Sequence, residues 1–161
     1  MSNLIRALSV FFLLIALDAG ALCLAAPPSS GPPKEPARIE IAVSPDSVSP
    51  GESAEVTLRL TPKTGIQVNR YPKIKLTVPE QDGLNGEAEV SMGDDAPPPP
   101  DHEGGNYFDE IDPVKLQIDL APGAKSGERE FEGRLVYFYC VKKSGFCAPA
   151  RVNVKIPVKV Q

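Results

Sequence analysis

The chain has 161 residues, enough for one domain with a buried core and too few for several. Its formal net charge of −4 predicts no nucleic-acid partner, since proteins that bind nucleic acid present a surplus of lysine and arginine to the phosphates. One histidine and three cysteines leave little material for a metal site or a hydrolytic triad, and we predict neither a metal nor a cofactor.

Residues 1–25 have the layout of a secretory signal peptide. Arg6 is an early cation, residues 7–17 form an apolar run, and small residues follow as far as Ala25. This layout predicts export with cleavage after Ala25, and we expect the protein in the periplasm. Cleavage would also remove Cys23 and leave the other two cysteines as one pair in an oxidising compartment.

Two other interpretations of this segment stay open. Lipid attachment would use Cys23, which follows Leu22 instead of the small residue expected before a lipidated cysteine. An uncleaved anchor would use residues 7–26, whose 20 positions approach the length that crosses a bilayer, although Asp18 interrupts them. Beyond such an anchor, no run of residues is long and apolar enough to predict a membrane span.

A proline-rich linker over residues 26–36 separates this segment from one domain over residues 37–161. The linker sequence is APPSSGPPKEP. Because proline lacks an amide donor and fixes φ, this composition predicts an extended tether and neither a helix nor a strand.

Within the domain, apolar and polar residues alternate with the period of two that is typical of strands. The apolar members of six such runs are Ile39, Ile41 and Val43; Val56, Leu58 and Leu60; Ile74, Leu76 and Val78; Val114, Leu116, Ile118 and Leu120; Phe131, Leu135, Tyr137 and Tyr139; and Val152, Val154, Ile156, Val158 and Val160. Turn signals such as Ser49-Pro50-Gly51 separate the runs, and no window carries a helical stripe. The pattern predicts an all-β, immunoglobulin-like sandwich of about seven to nine strands.

The most informative stretch is residues 133–160, in which two β-rich runs flank the turn composition Lys142-Lys143-Ser144-Gly145. The resulting hairpin would hold Cys140 and Cys147 across its neck, within reach of a disulfide. Two roles fit such a bond. It is either a structural staple, contributing about 2.5 kcal/mol for a loop of this length, or a redox pair whose thiolate is favoured by the two neighbouring lysines.

The register of the hairpin stays open. Cys140 is in step with Phe138, an apolar residue, whereas Cys147 is in step with Arg151, on the side of its strand opposite to the valines. A β-bulge at Ala148-Pro149 is one way to reset the phase between the two cysteines.

The least regular stretch is residues 92–113, with four consecutive prolines and seven acidic residues. This composition predicts a long loop, which is either a solvated surface insertion or a functional segment. The single histidine, His102, lies here between Asp101 and Glu103. Without a second histidine or a cysteine cluster, it does not predict a metal site.

The cysteine hairpin resembles a known family. Tyr139-Cys140, then Phe146-Cys147-Ala148-Pro149, then the valine-rich run that ends at Val160 are similar to the end of the periplasmic N-terminal domain of the thiol:disulfide interchange protein DsbD, and to the related disulfide bond corrector proteins. Upstream, Gly65-Ile66-Gln67-Val68-Asn69 resembles another segment of that domain. The resemblance covers roughly residues 37–161.

This resemblance implies an immunoglobulin-like fold and a thiol:disulfide exchange activity, with Cys140 and Cys147 as the redox pair. It implies that Cys147 forms the covalent link to a thioredoxin-like or other exchange partner, and that Cys140 resolves that link. Phe146 and Pro149 are expected to shape the surface that contacts the partner.

In the same family a loop in the region of residues 92–113 shields the cysteines until a partner arrives, which makes Tyr107 and Phe108 candidate cap residues. We expect a separate thioredoxin-like protein to supply the electrons. The alternative function is a non-catalytic binding or structural domain in which the Cys140–Cys147 bond is a stabilising staple.

Overall fold

The computed structural model describes residues 33–100 and 106–161, and the regular secondary structure in these two ranges is entirely β. The predicted signal peptide, over residues 1–25, lies outside the described residues, as does most of the predicted linker, over residues 26–36. The predicted all-β sandwich is confirmed, and its eight strands fall within the predicted number.

Six of the eight strands follow the alternating runs of the sequence. The eight strands are β1 (Ala37–Ser44), β2 (Ser53–Pro62), β3 (Ile66–Val68), β4 (Ile74–Val78), β5 (Ala88–Met92), β6 (Val114–Asp119), β7 (Gly127–Val141) and β8 (Cys147–Val160). The two short strands β3 and β5 have no counterpart among those runs. Strands β7 and β8 are the longest, at 15 and 14 residues, and together they form the predicted hairpin.

Two antiparallel sheets face each other across the core. The first has the order β1-β2-β6. In the second, β7 is central: β8 pairs along one of its sides, β3 and β4 share the other, and β5 lies beyond β4. This division, with the first, second and sixth strands opposite the seventh and eighth, is the immunoglobulin-like arrangement.

The core is built by the inward-facing residues of both sheets. In β2 every second side chain from Ala54 to Leu60 is buried, and in β8 the same holds from Val154 to Val160. Each such aliphatic side chain contributes about 1.5–3 kcal/mol through the removal of apolar surface from water. The polar residues between them face solvent, so the period of two in the sequence is the period of burial in the fold.

The β7–β8 ladder is continuous from Gly127 opposite Val160 to Cys140 opposite Cys147. The suggested bulge at Ala148-Pro149 is therefore wrong. The two cysteines are already in phase, because both lie on the face of the sheet that points away from the core. The phase looked inconsistent because that outer face also carries half-buried apolar side chains on β7, among them Phe138.

Proline is accommodated in β8 without loss of ladder bonds. Pro149 lies opposite Phe138, three pairs away from the pair of Val141 and Phe146. Since Val141 and Phe146 share a backbone hydrogen bond of 2.8 Å, the alternation of an antiparallel ladder makes the Pro149 pair a non-hydrogen-bonded one. The missing amide hydrogen of Pro149 would have pointed away from β7, which is where proline is tolerated in a strand.

A glycine after β5 fixes the chain against the segment that follows β3. Gly93 has a φ of +131°, and a Cβ atom there would lie 2.1 Å from the carbonyl oxygen of Arg70. We predict that Gly93→Ala lowers the free energy of unfolding by about 2 kcal/mol or more, through a backbone clash added to the strain of a positive φ.

Gly86→Ala is the matched control for this measurement by urea denaturation. Gly86 also has a positive φ, +94°, but a Cβ atom there would have no neighbour within 4 Å. An equal decrease in the free energy of unfolding in the two variants would contradict the importance of the close approach at Gly93.

Candidate thiol–disulfide site

The turn between β7 and β8 sets the geometry of the cysteine pair. The carbonyl oxygen of Val141 accepts hydrogen bonds from the amides of Ser144, at 3.2 Å, and Gly145, at 2.9 Å. Gly145 takes a φ of +67°, which glycine adopts without a Cβ penalty. The amide of Val141 then donates to the carbonyl oxygen of Phe146 at 2.8 Å, and this closes the loop of four residues between them.

The predicted disulfide between Cys140 and Cys147 is present. The two residues are direct cross-strand partners, with Cα atoms 4.1 Å apart. They form the non-hydrogen-bonded pair next to the Val141–Phe146 pair, the position at which opposite side chains come closest in an antiparallel ladder. The disulfide therefore follows directly from the register of the hairpin.

The two cysteines differ sharply in exposure. Cys140, on the central strand β7, is only 4% exposed, whereas Cys147, on the edge strand β8, is exposed. An incoming nucleophile therefore meets Cys147 first. The difference comes from the sheet order, because β7 has neighbours on both sides and β8 has its neighbour β7 on one side at this position.

Asn69 lies beside the buried cysteine. Its side-chain Oδ1 is 3.6 Å from Cys140 Sγ, and the residue is 8% exposed. It is the one buried polar residue among those the structure describes. The backbone amide of Asn69 donates to the carbonyl oxygen of Phe138 at 2.9 Å, which continues the β3–β7 pairing past the end of β3.

The sequence did not single out Asn69 as a site residue. It appeared only as the last residue of the segment that resembles the DsbD family. Its partner Cys140 is 71 positions away, and the two meet only because β3 pairs with the end of β7. The one sequence feature that pointed to Asn69 was its position as a polar residue directly after a short apolar strand. Because asparagine at such a position is far more often exposed to solvent, this feature does not identify a site residue.

Of the two candidate cap residues, Tyr107 lies on the same face as the disulfide. It forms an isolated antiparallel bridge with Asn69. Flanking hydrogen bonds hold this bridge: Phe108 N donates to Val68 O at 3.0 Å, and Arg70 N donates to Asn106 O at 2.7 Å. Across this end of the sheet Cys147 therefore lies opposite Cys140 and Cys140 opposite Gln67, while Tyr107 pairs with Asn69, two residues beyond Gln67.

The structure places Phe108 elsewhere. Its side chain is on the opposite face from Tyr107, half-buried and packed against the core. The guanidinium carbon of Arg70 lies 5.2 Å from the centre of the Phe108 ring, in a cation–π arrangement. This placement is suited to anchoring the segment and does not bring the Phe108 ring to the sulfur atoms.

Arg70 also ties the beginning of the long loop to this region. Its guanidinium donates two hydrogen bonds to the carboxylate of Asp94, at 2.8 and 2.9 Å. These bonds raise the pKa of Arg70 and lower that of Asp94. The amide of Asp94 in turn donates to the carbonyl oxygen of Arg70 at 2.9 Å. Both described ends of the loop thus meet at the residues after β3.

The exposed cysteine is bordered by the residues predicted to contact a partner. Phe146 is 39% exposed and is the one exposed large hydrophobic residue in the described part of the chain. Its ring centroid lies 6.5 Å from that of Tyr139. Pro149 is exposed two residues beyond Cys147, and Lys142 and Lys143 are exposed in the turn.

A cleft of about 550 Å³ opens on the far side of Pro149, between β8 and the residues that lead into β1. Tyr137 and Tyr139 line it from β7. The hydroxyl group of Tyr137 has no hydrogen-bond partner among the described residues. Burial, with a smaller contribution from Tyr139, raises the pKa of Tyr137 to about 12, so this hydroxyl is neutral at physiological pH.

Other site types find no support in the residues described. No group of three or more metal-ligating side chains occurs in residues 33–100 and 106–161. His102, for which the sequence predicts no metal site, lies outside these residues. Within the same ranges, no helix has the length and hydrophobicity that a membrane crossing requires.

Neither a protein-family model nor a curated protein matches this chain. The resemblance to the DsbD family therefore stays a prediction that rests on the residues quoted above.

The exposure difference predicts unequal thiol reactivity after reduction. In a chain carrying Cys23→Ser, we expect Cys147 to be alkylated by iodoacetamide on the order of ten times faster than Cys140, because a buried thiol reacts only after local opening. The two rates are measured separately in the Cys140→Ala and Cys147→Ala variants.

The same two variants in denaturant serve as the control, because unfolding removes the difference in burial. Equal rates in the folded proteins would contradict the exposure difference.

Proposed function

We propose that this protein is an exported thiol:disulfide exchange domain, in which the Cys140/Cys147 pair passes electrons from a thioredoxin-like reductant to other envelope proteins. The observation that carries the proposal is the asymmetry of the disulfide, with one accessible cysteine at a sheet edge and one buried cysteine beside it. Exchange needs one sulfur that a partner reaches and a second sulfur that stays close to it.

In the proposed direction the reduced pair acts on a disulfide of the partner. The Cys147 thiolate attacks one partner sulfur, a mixed disulfide forms, and the other partner sulfur leaves as a thiolate. The Cys140 thiolate then attacks Cys147 Sγ, which closes the Cys140–Cys147 bond and releases the first partner sulfur as a thiolate. Two electrons pass to the partner. A dithiol protein of the thioredoxin type restores the reduced pair by the reverse sequence.

The surroundings of Cys147 support contact with a protein partner. Phe146, the residue before Cys147, offers an exposed aromatic ring, and Pro149, two residues after Cys147, is an exposed apolar residue on β8. Aromatic side chains are enriched where proteins bind each other. Lys142 and Lys143 favour the thiolate form by their positive charge.

The environment of the exchange is part of the proposal. The layout of residues 1–25 favours export to the periplasm, an oxidising compartment in which disulfides form and in which a reductant has substrates to act on. The proposed membership of the DsbD and disulfide bond corrector family agrees with the same location. Tyr107, on the face of the disulfide beyond Asn69, is the proposed cap residue.

A structural staple is the second candidate function, and the burial of Cys140 favours it. However, the 14 residue pairs of the β7–β8 ladder already hold the two strands together up to the cysteines. A crosslink that closes so short a loop adds only about 2.5 kcal/mol in the chain-entropy account. A disulfide therefore matters less for the stability of this hairpin than it would for a loosely packed loop. For this reason we favour exchange over a structural role.

A trapping experiment tests the proposed function. In a Cys23→Ser chain that also carries Cys140→Ala, we expect the Cys147 thiolate to form a stable mixed disulfide with a thioredoxin-like protein whose second active-site cysteine is replaced by serine and whose first is activated as its thionitrobenzoate mixed disulfide, with thionitrobenzoate as the leaving thiolate. The link persists because no second thiol remains to resolve it.

The Cys147→Ala variant is the matched control, and we expect at least tenfold less adduct because the remaining sulfur is buried. Absence of an adduct with Cys140→Ala, or equal amounts with both variants, would overturn the assignment of roles.

A further inference from the structure

Opening of the disulfide creates a charge in a place with little water. When a partner thiolate attacks Cys147, the electron pair of the broken bond stays on Cys140 Sγ. Cys140 is 4% exposed, and burial in apolar surroundings disfavours a thiolate. A leaving group that ionises easily leaves faster, so the environment of Cys140 affects the rate of exchange.

Asn69 is the polar side chain that meets this sulfur. Its Oδ1 lies 3.6 Å from Cys140 Sγ, and this is the one side-chain contact of hydrogen-bond geometry that Cys140 Sγ makes with the described residues. In the disulfide the sulfur carries no hydrogen, so this contact is not a hydrogen bond while the pair is oxidised. It becomes one only when the Cys140–Cys147 bond opens.

A carboxamide suits both states of the reduced sulfur. Its oxygen accepts from a thiol S–H, and its nitrogen donates to a thiolate. A half-turn about the last side-chain bond exchanges the oxygen and the nitrogen at the same position. The backbone of Asn69 stays fixed meanwhile, by its bond to Phe138 and by the pairs on either side of Tyr107.

We propose that Asn69 is the third residue of the exchange site, and that its amide accepts a hydrogen bond from the Cys140 thiol and donates one to the Cys140 thiolate. The inference rests on the proposed function and deepens it. Attack on Cys147 Sγ forms the bond to the partner, breaks the bond to Cys140, and leaves the electron pair on Cys140 Sγ. Asn69 Nδ2–H stabilises this thiolate until it takes a proton from water or attacks Cys147 again. Asn69 itself neither gains nor loses a proton.

Charged groups near Cys140 do not replace this role. The ionisable side chains on the surrounding elements are Tyr139 on β7, Cys147 on β8, Lys142 and Lys143 in the turn, and Tyr107 beyond Asn69. Apart from Cys147, which forms the disulfide bond, none of them forms a hydrogen bond with Cys140 Sγ in the described structure. The lysines act on this sulfur only through their charge.

The chain offers a matched control for the test. Gln67 is on β3, two residues before Asn69 and directly opposite Cys140, and carries the same amide group without a hydrogen bond to the sulfur. We compare Asn69→Leu with Gln67→Leu in a Cys23→Ser/Cys147→Ala chain, in which Cys140 is the single thiol. The pKa of that thiol is read from the ultraviolet absorbance of the thiolate as the pH is raised.

We expect Asn69→Leu to raise the pKa of the Cys140 thiol by about one to two units, and Gln67→Leu to leave it unchanged. Asn69→Asp is the second variant, because it nearly preserves the shape of the side chain if leucine prevents folding. It replaces the donor by a negative charge, so we expect a larger rise. An unchanged pKa of the Cys140 thiol in folded Asn69 variants, or an equal pKa shift in the Gln67→Leu control, would overturn the inference.

A second readout separates this inference from the proposed function. With both cysteines present, we expect Asn69→Leu to slow the reduction of the disulfide by dithiothreitol on the order of tenfold relative to Gln67→Leu, because Cys140 becomes a poorer leaving group. If the chain with Asn69 and Gln67 exchanges with thiols, and Asn69→Leu and Gln67→Leu are both reduced as fast as that chain, the role of Asn69 is overturned and exchange stands. If trapping fails while the titration shifts as expected, exchange is overturned and the contact stands.

Discussion

The unbroken hydrogen-bonded ladder between β7 and β8 is the constraint on which the candidate site depends. It runs without a bulge from Gly127–Val160 to Cys140–Cys147, and the turn that ends at Gly145 closes it one pair beyond the cysteines. Inward-facing residues on both strands are part of the core, so a slip of one position would turn buried side chains into water. The core therefore holds the register, and the register holds the two sulfur atoms together.

Sheet order then gives the two cysteines different environments. β7 is central and β8 is at the edge of the same sheet, so one sulfur is enclosed and the other is accessible. The chain that follows β3 completes the enclosure: Asn69 approaches Cys140, and Tyr107 pairs with Asn69 from the other side. Contacts of Arg70 with Asp94 and Phe108 fix this segment in turn. A disulfide with one reachable sulfur thus arises from ordinary features of a β-sandwich.

Much of this could be predicted from the sequence, because the decisive patterns are local. Period-two alternation predicted six of the eight strands, all except the short β3 and β5, and turn residues between two β-rich runs predicted the hairpin and its disulfide. The register was harder, since Phe138 is apolar yet lies on the outer face, so polarity alone left the phase between Cys140 and Cys147 undecided. Asn69 and the core-facing side of Phe108 depend on pairing between distant segments, which no local pattern encodes.

The reduction potential of the Cys140–Cys147 pair tests the central claim most directly. A Cys23→Ser chain is equilibrated with glutathione buffers of graded ratio, and the reduced fraction is read by thiol alkylation. Exchange predicts a potential between about −180 and −270 mV, the range of proteins that trade disulfides with others. A potential below about −300 mV, typical of structural disulfides, would contradict it and leave a stapled β-sandwich.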